Sequence, residues 1–129
     1  MASADAVVVS LPHLPETTGI VDGAVLAAMR PEAVILNVGR GPVIDEAALY
    51  DALASRRIGG AIIDTWYRYP SAAEPGPSPG RLPFETLDNL VMTPHMSGWT
   101  TGTIRRRMET IASNVERLAR DEPLVNALR

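Results

Sequence analysis

The chain has 129 residues, enough for one domain, and its apolar share of 46% with 21% charged residues is typical of a soluble globular protein. No apolar run approaches the length of a membrane span, and a net charge of −3 excludes a basic face for nucleic acid. Cysteine and lysine are absent, which excludes disulfides, cysteine zinc sites and Schiff bases. Two histidines cannot make a three-histidine metal site. No basic segment precedes an apolar stretch at the start, so we expect a cytoplasmic protein.

Short apolar runs alternate with helical patterns along most of the chain. The runs predict four strands, at 6–10, 33–38, 61–64 and 90–93. The patterns between them predict two helices, at about 23–30 and 46–56, with Asp22 and Asp45 as their N-caps. A further helix is predicted from Ile104 to Ala119, where apolar residues recur at helical spacing. Between the third and fourth predicted strands, residues 65–88 hold five of the eleven prolines, which indicates a long functional or mobile loop.

This alternation predicts an α/β fold with a doubly wound parallel sheet of about four strands and helices on both faces. In such a sheet, ligands bind beyond the carboxyl ends of the strands. Arg40 follows the second predicted strand, Asp64 ends the third, and His95 follows the fourth. The three side chains are therefore expected at one edge of the sheet.

Each of these residues has a plain structural interpretation beside a functional one. Arg40 is either a solvated turn residue or a guanidinium that binds a carboxylate or phosphate. Asp64 either caps the loop that it opens or accepts a hydrogen bond from a polar cofactor group. His95 is either a surface residue or a general acid and base near neutral pH.

The remaining candidates favour structural roles. His13 lies in a proline-rich loop and is expected at the surface. The three arginines at 105–107 are expected on the solvated face of the last helix. Trp66, Tyr67 and Tyr69 are expected to anchor the long loop by packing, with a substrate-pocket wall as the alternative.

Four motifs together resemble the D-isomer-specific 2-hydroxyacid dehydrogenases. They are Asn-Val-Gly-Arg-Gly-Pro at 37–42, Gly-Ala-Ile-Ile-Asp at 60–64, Thr-Pro-His at 93–95, and the loop Pro-His-Leu-Pro-Glu-Thr at 12–17. That loop and Thr-Pro-His-Met-Ser-Gly at 93–98 are most similar to the formate dehydrogenase branch. The resemblance implies an oxidoreductase with a Rossmann-type domain that binds NAD, with NADP left open.

The resemblance also implies roles for individual residues. Arg40 would bind the carboxylate of a small hydroxy or oxo acid, and His95 would be the general acid and base. Asp64 would accept from the nicotinamide carboxamide. Further positions that match coenzyme contacts are Pro12, Glu16, Val38, Ser97 and Gly98.

The sequence departs from the family pattern at the partner of the histidine. The family has a carboxylate five residues beyond the aspartate, and the formate branch has an amide there, whereas this chain has Tyr69. Glu74 offers a carboxylate at a different spacing. Both remain candidates for the contact with His95.

The sequence contains no Gly-x-Gly-x-x-Gly turn for the coenzyme phosphates. We therefore expect residues 1–129 to be part of an NAD-binding domain, without the substrate domain and the glycine-rich half, and inactive in isolation. The first strand would then be an open sheet edge that pairs with the missing half or with another copy in a homo-oligomer. The alternative is a non-catalytic Rossmann-like module that binds or assembles with another chain.

Overall fold

The computed structural model describes residues 3–127, which divide into two compact units between Met96 and Ser97. The first unit holds four strands, β1 (Ala6–Val9), β2 (Val34–Asn37), β3 (Gly60–Ile63) and β4 (Leu90–Met92). It also holds two helices, α1 (Gly23–Ala27) and α2 (Glu46–Ala54). The second unit holds α3 (Thr101–Ala119). Each predicted strand and helix is present, with bounds that differ by a few residues.

Both short helices begin where the sequence predicts. The Asp22 carboxylate accepts from the backbone N–H of Val25 at 2.9 Å, and the Asp45 carboxylate accepts from that of Ala48 at 2.8 Å. These bonds satisfy N–H groups that a helix leaves without partners at its start. Helix α1 ends earlier than predicted, at Ala27, because Pro31 restricts the residue before it and the chain leaves the helix within the preceding turn.

The four strands form one parallel sheet in the order β1-β2-β3-β4. Every strand pairs with the strand that follows it in the chain, so that β1 lies at an edge of the sheet, as predicted. All four carboxyl ends point the same way because the sheet is parallel. The predicted α/β class is thereby confirmed, and the loops after the four strands share one edge.

The core lies on the sheet face that carries Val9, Ile35 and Ile63, which pack with helix residues such as Leu26 and Leu49. The opposite face carries a row of apolar side chains in register, Val8, Leu36, Ile62 and Val91. Of these, Val8 is 62% exposed and Val91 is 56% exposed. The two helices of the first unit therefore cover one face of the sheet, and the expectation of helices on both faces stays a prediction.

The second unit consists of α3 and the segment that follows it. The Thr100 side chain caps α3 by accepting from the Thr103 N–H at 3.1 Å. The Asn114 side chain and the Val125 backbone exchange two hydrogen bonds, which fold the tail back onto the helix. The predicted apolar stripe of α3 is exposed, and so are the three arginines at 105–107. Within residues 3–127, no helix is long and apolar enough to cross a bilayer.

Candidate active site

The loops that follow β1, β2 and β3 pack against one another through glycine. A Cβ on Gly39 would lie 2.5 Å from the carbonyl oxygen of Leu11, and one on Gly41 would lie 2.3 Å from that of Trp66. Real Cβ atoms do not approach backbone so closely, and only glycine allows this spacing. The two glycines beside Arg40 therefore hold three loops together at the carboxyl edge of the sheet.

Replacing Gly41 by alanine is expected to lower the free energy of unfolding by about 3 kcal/mol or more, because the new methyl group meets backbone atoms that cannot rotate away. Urea denaturation of the chain measures the loss. Gly76→Ala is the matched control, since a Cβ at Gly76 meets nothing within 4 Å. Equal midpoints for the two variants would contradict the close packing of the loops.

Arg40 is held in place by a side chain that sequence reasoning missed. Asn37, which is 1% exposed, donates from its amide to the carbonyl of Arg40 at 3.0 Å and accepts from the Gly39 N–H at 3.0 Å. Arg40 itself is exposed and donates from Nη1 to the Gly39 carbonyl at 2.7 Å. A polar residue that ends an apolar strand before Gly-x-Gly is the signal that could have identified this clamp.

Asp64 connects the end of β3 with the loop that carries His95. Its carboxylate is 2% exposed and accepts from the Thr93 hydroxyl and from the Met96 N–H at 2.9 Å. Its own N–H donates to the carbonyl of Asn37 at 3.0 Å. Both interpretations of Asp64 from the sequence missed this position-holding contact with the His95 loop.

His95 is exposed and has a backbone φ of 59°, in the left-handed region that few residues other than glycine adopt. Such strain persists where neighbouring contacts hold it, and here Asp64 binds the next N–H along the chain. The Tyr69 hydroxyl lies 3.0 Å from His95 Nδ1, and the two ring centroids are 5.6 Å apart. The backbone turn and this bond together orient the imidazole.

Of the two candidates for the partner of His95, the structure places Tyr69 in contact. Glu74 instead binds the guanidinium of Arg68, with both carboxylate oxygens 2.7 Å from one nitrogen. Tyr69 thus has a polar role that the packing interpretation did not foresee. Its position five residues after Asp64 is the signal on which the resemblance drew.

The long loop between β3 and β4 is anchored by aromatic packing, as predicted for Trp66 and Tyr67. Both rings contact Phe84, which is fully buried and which sequence reasoning did not single out. The Trp66 indole N–H also donates to the Thr93 carbonyl at 2.9 Å. Burial, and then the Glu46 carboxylate, raise the pKa of the Tyr67 hydroxyl far above its ordinary value, so this ring stays neutral.

The same loop forms one side of a cavity of about 410 Å³. Its lining includes Trp66, Tyr69, Met92 and Pro94. The wall beside the Tyr69–His95 pair is therefore largely apolar, with Arg68 as the charged side chain of the lining.

The residues that the resemblance assigns to coenzyme binding fall into two groups. Pro12, Glu16 and Val38 lie in the loops after β1 and β2, at the same edge as Arg40. The Thr17 hydroxyl shapes the first of these loops by donating to the Pro12 carbonyl at 2.7 Å. Ser97 and Gly98 belong to the second unit. His13 is exposed, as expected, and its Nε2 lies 2.9 Å from the Thr18 hydroxyl.

A parallel sheet that gathers an arginine, a buried aspartate and a histidine at its carboxyl edge has the architecture of α/β ligand-binding domains, the dinucleotide-binding class among them. The family sequence model described as D-isomer specific 2-hydroxyacid dehydrogenase, NAD binding domain, matches residues 1–97 of this chain. The chain belongs to this family.

Individual relatives agree with this assignment. Hydroxyphenylpyruvate reductase from Plectranthus scutellarioides is 34% identical over 124 residues, which cover 96% of this chain and 37% of that enzyme. A D-isomer specific 2-hydroxyacid dehydrogenase from Xanthobacter autotrophicus Py2, solved with NADPH and MES, is 36% identical with a TM-score of 0.74, over 99% of this chain and 49% of its own. The D-lactate dehydrogenase from Lactobacillus jensenii, solved with NAD+, has the same fold, with 24% identity and a TM-score of 0.84. The match covers 99% of this chain and 40% of that enzyme. This chain thus spans less than half the length of each.

The residues at the carboxyl edge of the sheet suit one end of the coenzyme. The described edge offers exposed apolar side chains at Leu11 and Val38, in the loops after β1 and β2, and the buried Asp64 carboxylate after β3. Apolar surface beside a hydrogen-bond acceptor suits the ring and amide of a nicotinamide nucleoside. A Gly-x-Gly-x-x-Gly turn, which the pyrophosphate would need, does not occur in the sequence. The residues present therefore fit the nucleoside end of the coenzyme.

Proposed function

We propose that this chain supplies the catalytic edge of an NAD- or NADP-dependent D-2-hydroxyacid dehydrogenase that acts on a small hydroxy or oxo acid. The observation that carries this proposal is that hydrogen bonds and close loop packing connect Arg40, Asp64 and the His95 loop along one edge of the sheet. Family membership supports the coenzyme and the reaction class. The formate dehydrogenase branch and a cytoplasmic location stay predictions from the sequence.

The proposed chemistry divides between coenzyme and protein. The nicotinamide, when bound, accepts the hydride that leaves the hydroxyl-bearing carbon, or supplies it in reverse. Arg40 binds the substrate carboxylate through its planar guanidinium, which fixes the orientation of that carbon. His95 takes the hydroxyl proton at Nε2 during oxidation and returns it during reduction. Asp64 holds the His95 loop and accepts from the carboxamide.

The test uses a hybrid enzyme in which this chain replaces the matching segment of the Plectranthus hydroxyphenylpyruvate reductase. We expect the hybrid enzyme to oxidise NADH or NADPH when hydroxyphenylpyruvate is added, and to act poorly on the corresponding amide, which lacks the carboxylate. Loss of turnover in a hybrid that still folds and binds coenzyme would refute the proposed function.

The 129-residue chain alone is expected to bind NAD weakly or not at all, because the sequence holds no glycine-rich turn for the pyrophosphate. Calorimetric titration of the purified chain with NAD measures the affinity. The hybrid enzyme serves as the control and should give a saturable isotherm. A tight one-to-one isotherm for the chain alone would overturn the expectation.

The open edge of β1 and the exposed row on one sheet face favour a second candidate function, assembly with another chain. We expect the isolated chain to self-associate, with sedimentation that depends on concentration. Val8→Arg, on β1 and 62% exposed, should weaken association, whereas Ala47→Arg on the exposed side of α2 should not. A monomer at all concentrations would contradict the assembly of copies of this chain.

A further inference from the structure

Helix α3 carries an apolar stripe that is exposed along the whole helix. The stripe consists of five side chains that are between 41% and 71% exposed, Ile104, Met108, Ile111, Val115 and Leu118. They follow one another at intervals of four, three, four and three residues, which is the spacing at which helices pack together as a coiled coil. Single exposed apolar residues are ordinary, whereas a continuous row of them marks an interaction surface.

The tail that folds back onto α3 leaves this stripe open. Two hydrogen bonds with Asn114 hold the Val125 backbone against the helix. The Val125 side chain lines a groove together with residues of the polar side of α3, Arg106, Glu109, Thr110 and Ser113. Within the described part of the second unit, the tail therefore lies on the polar side of the helix and the stripe is available to a partner.

We propose that the stripe of α3 binds the same stripe of a second copy of this chain, with the two helices antiparallel and related by a two-fold axis. In this pair, Ile104 of each copy packs beside Val115 of the other, and Met108 packs beside Ile111. The five side chains of each helix together offer roughly 1,000 Å² of apolar surface, which is about the lower size of a specific interface.

The charges of α3 favour the antiparallel orientation. Residues 101–110 carry three arginines and one glutamate, whereas residues 111–122 carry two arginines and three carboxylates. A parallel pair would place the two arginine-rich halves side by side, where like charges repel. An antiparallel pair places each arginine-rich half beside the acidic half of the other copy, and it also brings opposite ends of the two helix dipoles together.

The two ends of the stripe complement each other in shape. Near the start of α3, Trp99, Ile104 and Met108 contribute to the lining of a cavity of about 100 Å³. Leu118, at the other end, is 71% exposed. In the antiparallel pair, Leu118 of one copy reaches the cavity of the other and fills it, as a knob fills a hole in a coiled coil.

Pairing through α3 goes beyond the proposed function and does not depend on dehydrogenase activity. It is also separate from assembly through the sheet, because Val8 and β1 belong to the first unit and α3 belongs to the second. A variant of one surface therefore leaves the other surface intact.

The test uses introduced thiols in the full chain, which contains no cysteine of its own. Under mild oxidation, a mixture of the Ile104→Cys and Val115→Cys variants should form a disulfide-linked mixed dimer, which mass spectrometry identifies. Ile104→Cys alone should not cross-link, because its two copies would lie about 16 Å apart along the pair, whereas a disulfide needs Cα atoms within about 7 Å. Glu116→Cys is the matched control for Val115→Cys, since it lies one residue further on, beside the stripe, and the mixed dimer should be lost.

A second set of variants tests the stripe as a whole. Ile111→Arg, added to both cysteine variants, should abolish the mixed dimer, whereas Ser113→Arg on the polar side should not. Val8→Arg should leave the cross-link unchanged, which separates this pairing from assembly through β1. Circular dichroism of each variant verifies that the helices are kept.

Three results would overturn the pairing. The first is a mixture that gives no mixed dimer, or one that Ile111→Arg does not reduce. The second is cross-linking of Ile104→Cys with itself as efficiently as in the mixture, which would indicate parallel or random contact. The third is an Ile104→Cys thiol that resists alkylation in a monomeric chain, which would show that another part of the same copy covers the stripe. Failure of the hybrid enzyme to turn over would count against the proposed function alone.

Discussion

Replacing His95 by glutamine is expected to lower kcat of the hybrid enzyme by roughly 100- to 10,000-fold, the range that a general acid or base contributes. Glutamine keeps a polar side chain of similar length, with its amide near the position of Nε2 rather than of Nδ1, the atom that lies 3.0 Å from the Tyr69 hydroxyl. It cannot gain or lose a proton near neutral pH. The substitution therefore removes proton transfer, and steady-state rates with hydroxyphenylpyruvate measure the loss.

The chain offers a matched control in its second histidine. His13 lies in the loop after β1, and its Nε2 contacts the Thr18 hydroxyl. His13→Gln makes the same chemical change at the same edge of the sheet, and we expect it to leave kcat within about twofold, as surface substitutions do. Similar losses in the two variants would mean that His95 is not the group that transfers the proton.

Arg40→Lys is expected to lower kcat/KM. The expected loss of transition-state stabilisation is about 2–4 kcal/mol, by analogy with the loss of one oxyanion donor. This corresponds to roughly 30- to 1,000-fold. Lysine keeps the positive charge but not the planar pair of donors that grips a carboxylate. The Arg40 backbone is held by Asn37, so the lysine would stand in the same place and the loss would reflect the head group.

Arg56→Lys is the control for this change, because Arg56 makes a surface ion pair with Asp88 at 2.6 Å. Exposed pairs of this kind contribute little, so kcat/KM should be unchanged. An Arg40→Lys enzyme with undiminished efficiency on the acid would exclude carboxylate binding by Arg40. If the loss is partial, the amide substrate shows whether Arg40 binds the carboxylate. An enzyme that never bound the carboxylate would treat acid and amide alike.

The candidate site combines exposed side chains, proposed to react, with buried side chains that hold them. Arg40 and His95 are exposed, whereas Asn37 and Asp64 are 1% and 2% exposed and bind the backbone beside them. A buried polar side chain with satisfied hydrogen bonds is costly to displace. Precise placement of Arg40 and His95 thus depends on two residues that never need to touch a substrate.

The sequence by itself determined the order and type of the elements and the edge at which Arg40, Asp64 and His95 stand. β-branched runs, the aspartate caps at Asp22 and Asp45, and the helical spacing in α3 act over a few residues, so their pattern is readable locally. Alternation of strands and helices then implies a parallel sheet, and a parallel sheet gathers the strand ends. The family motifs added the proposed chemistry of those positions.

Tertiary structure decided which partner His95 has. Tyr69 and Glu74 are five residues apart in the same loop, and either could approach a histidine 20 or more positions further along. The choice depends on the Trp66 N–H, which holds the Tyr69 oxygen, and on Arg68, which binds Glu74. These contacts join groups whose proximity depends on the folded path of the loop, and no local pattern encodes that path.

The same reason applies to the residues that the sequence did not single out. In the sequence, Asn37 is a polar residue near the end of the strand predicted at 33–38, and Phe84 is an isolated aromatic residue in a proline-rich segment. Only packing shows that Asn37 clamps the turn of Arg40 and that Phe84 anchors Trp66 and Tyr67. Local propensity selects the elements, whereas the position of each side chain depends on contacts between loops distant in the chain, which exist only once the sheet has brought those loops together.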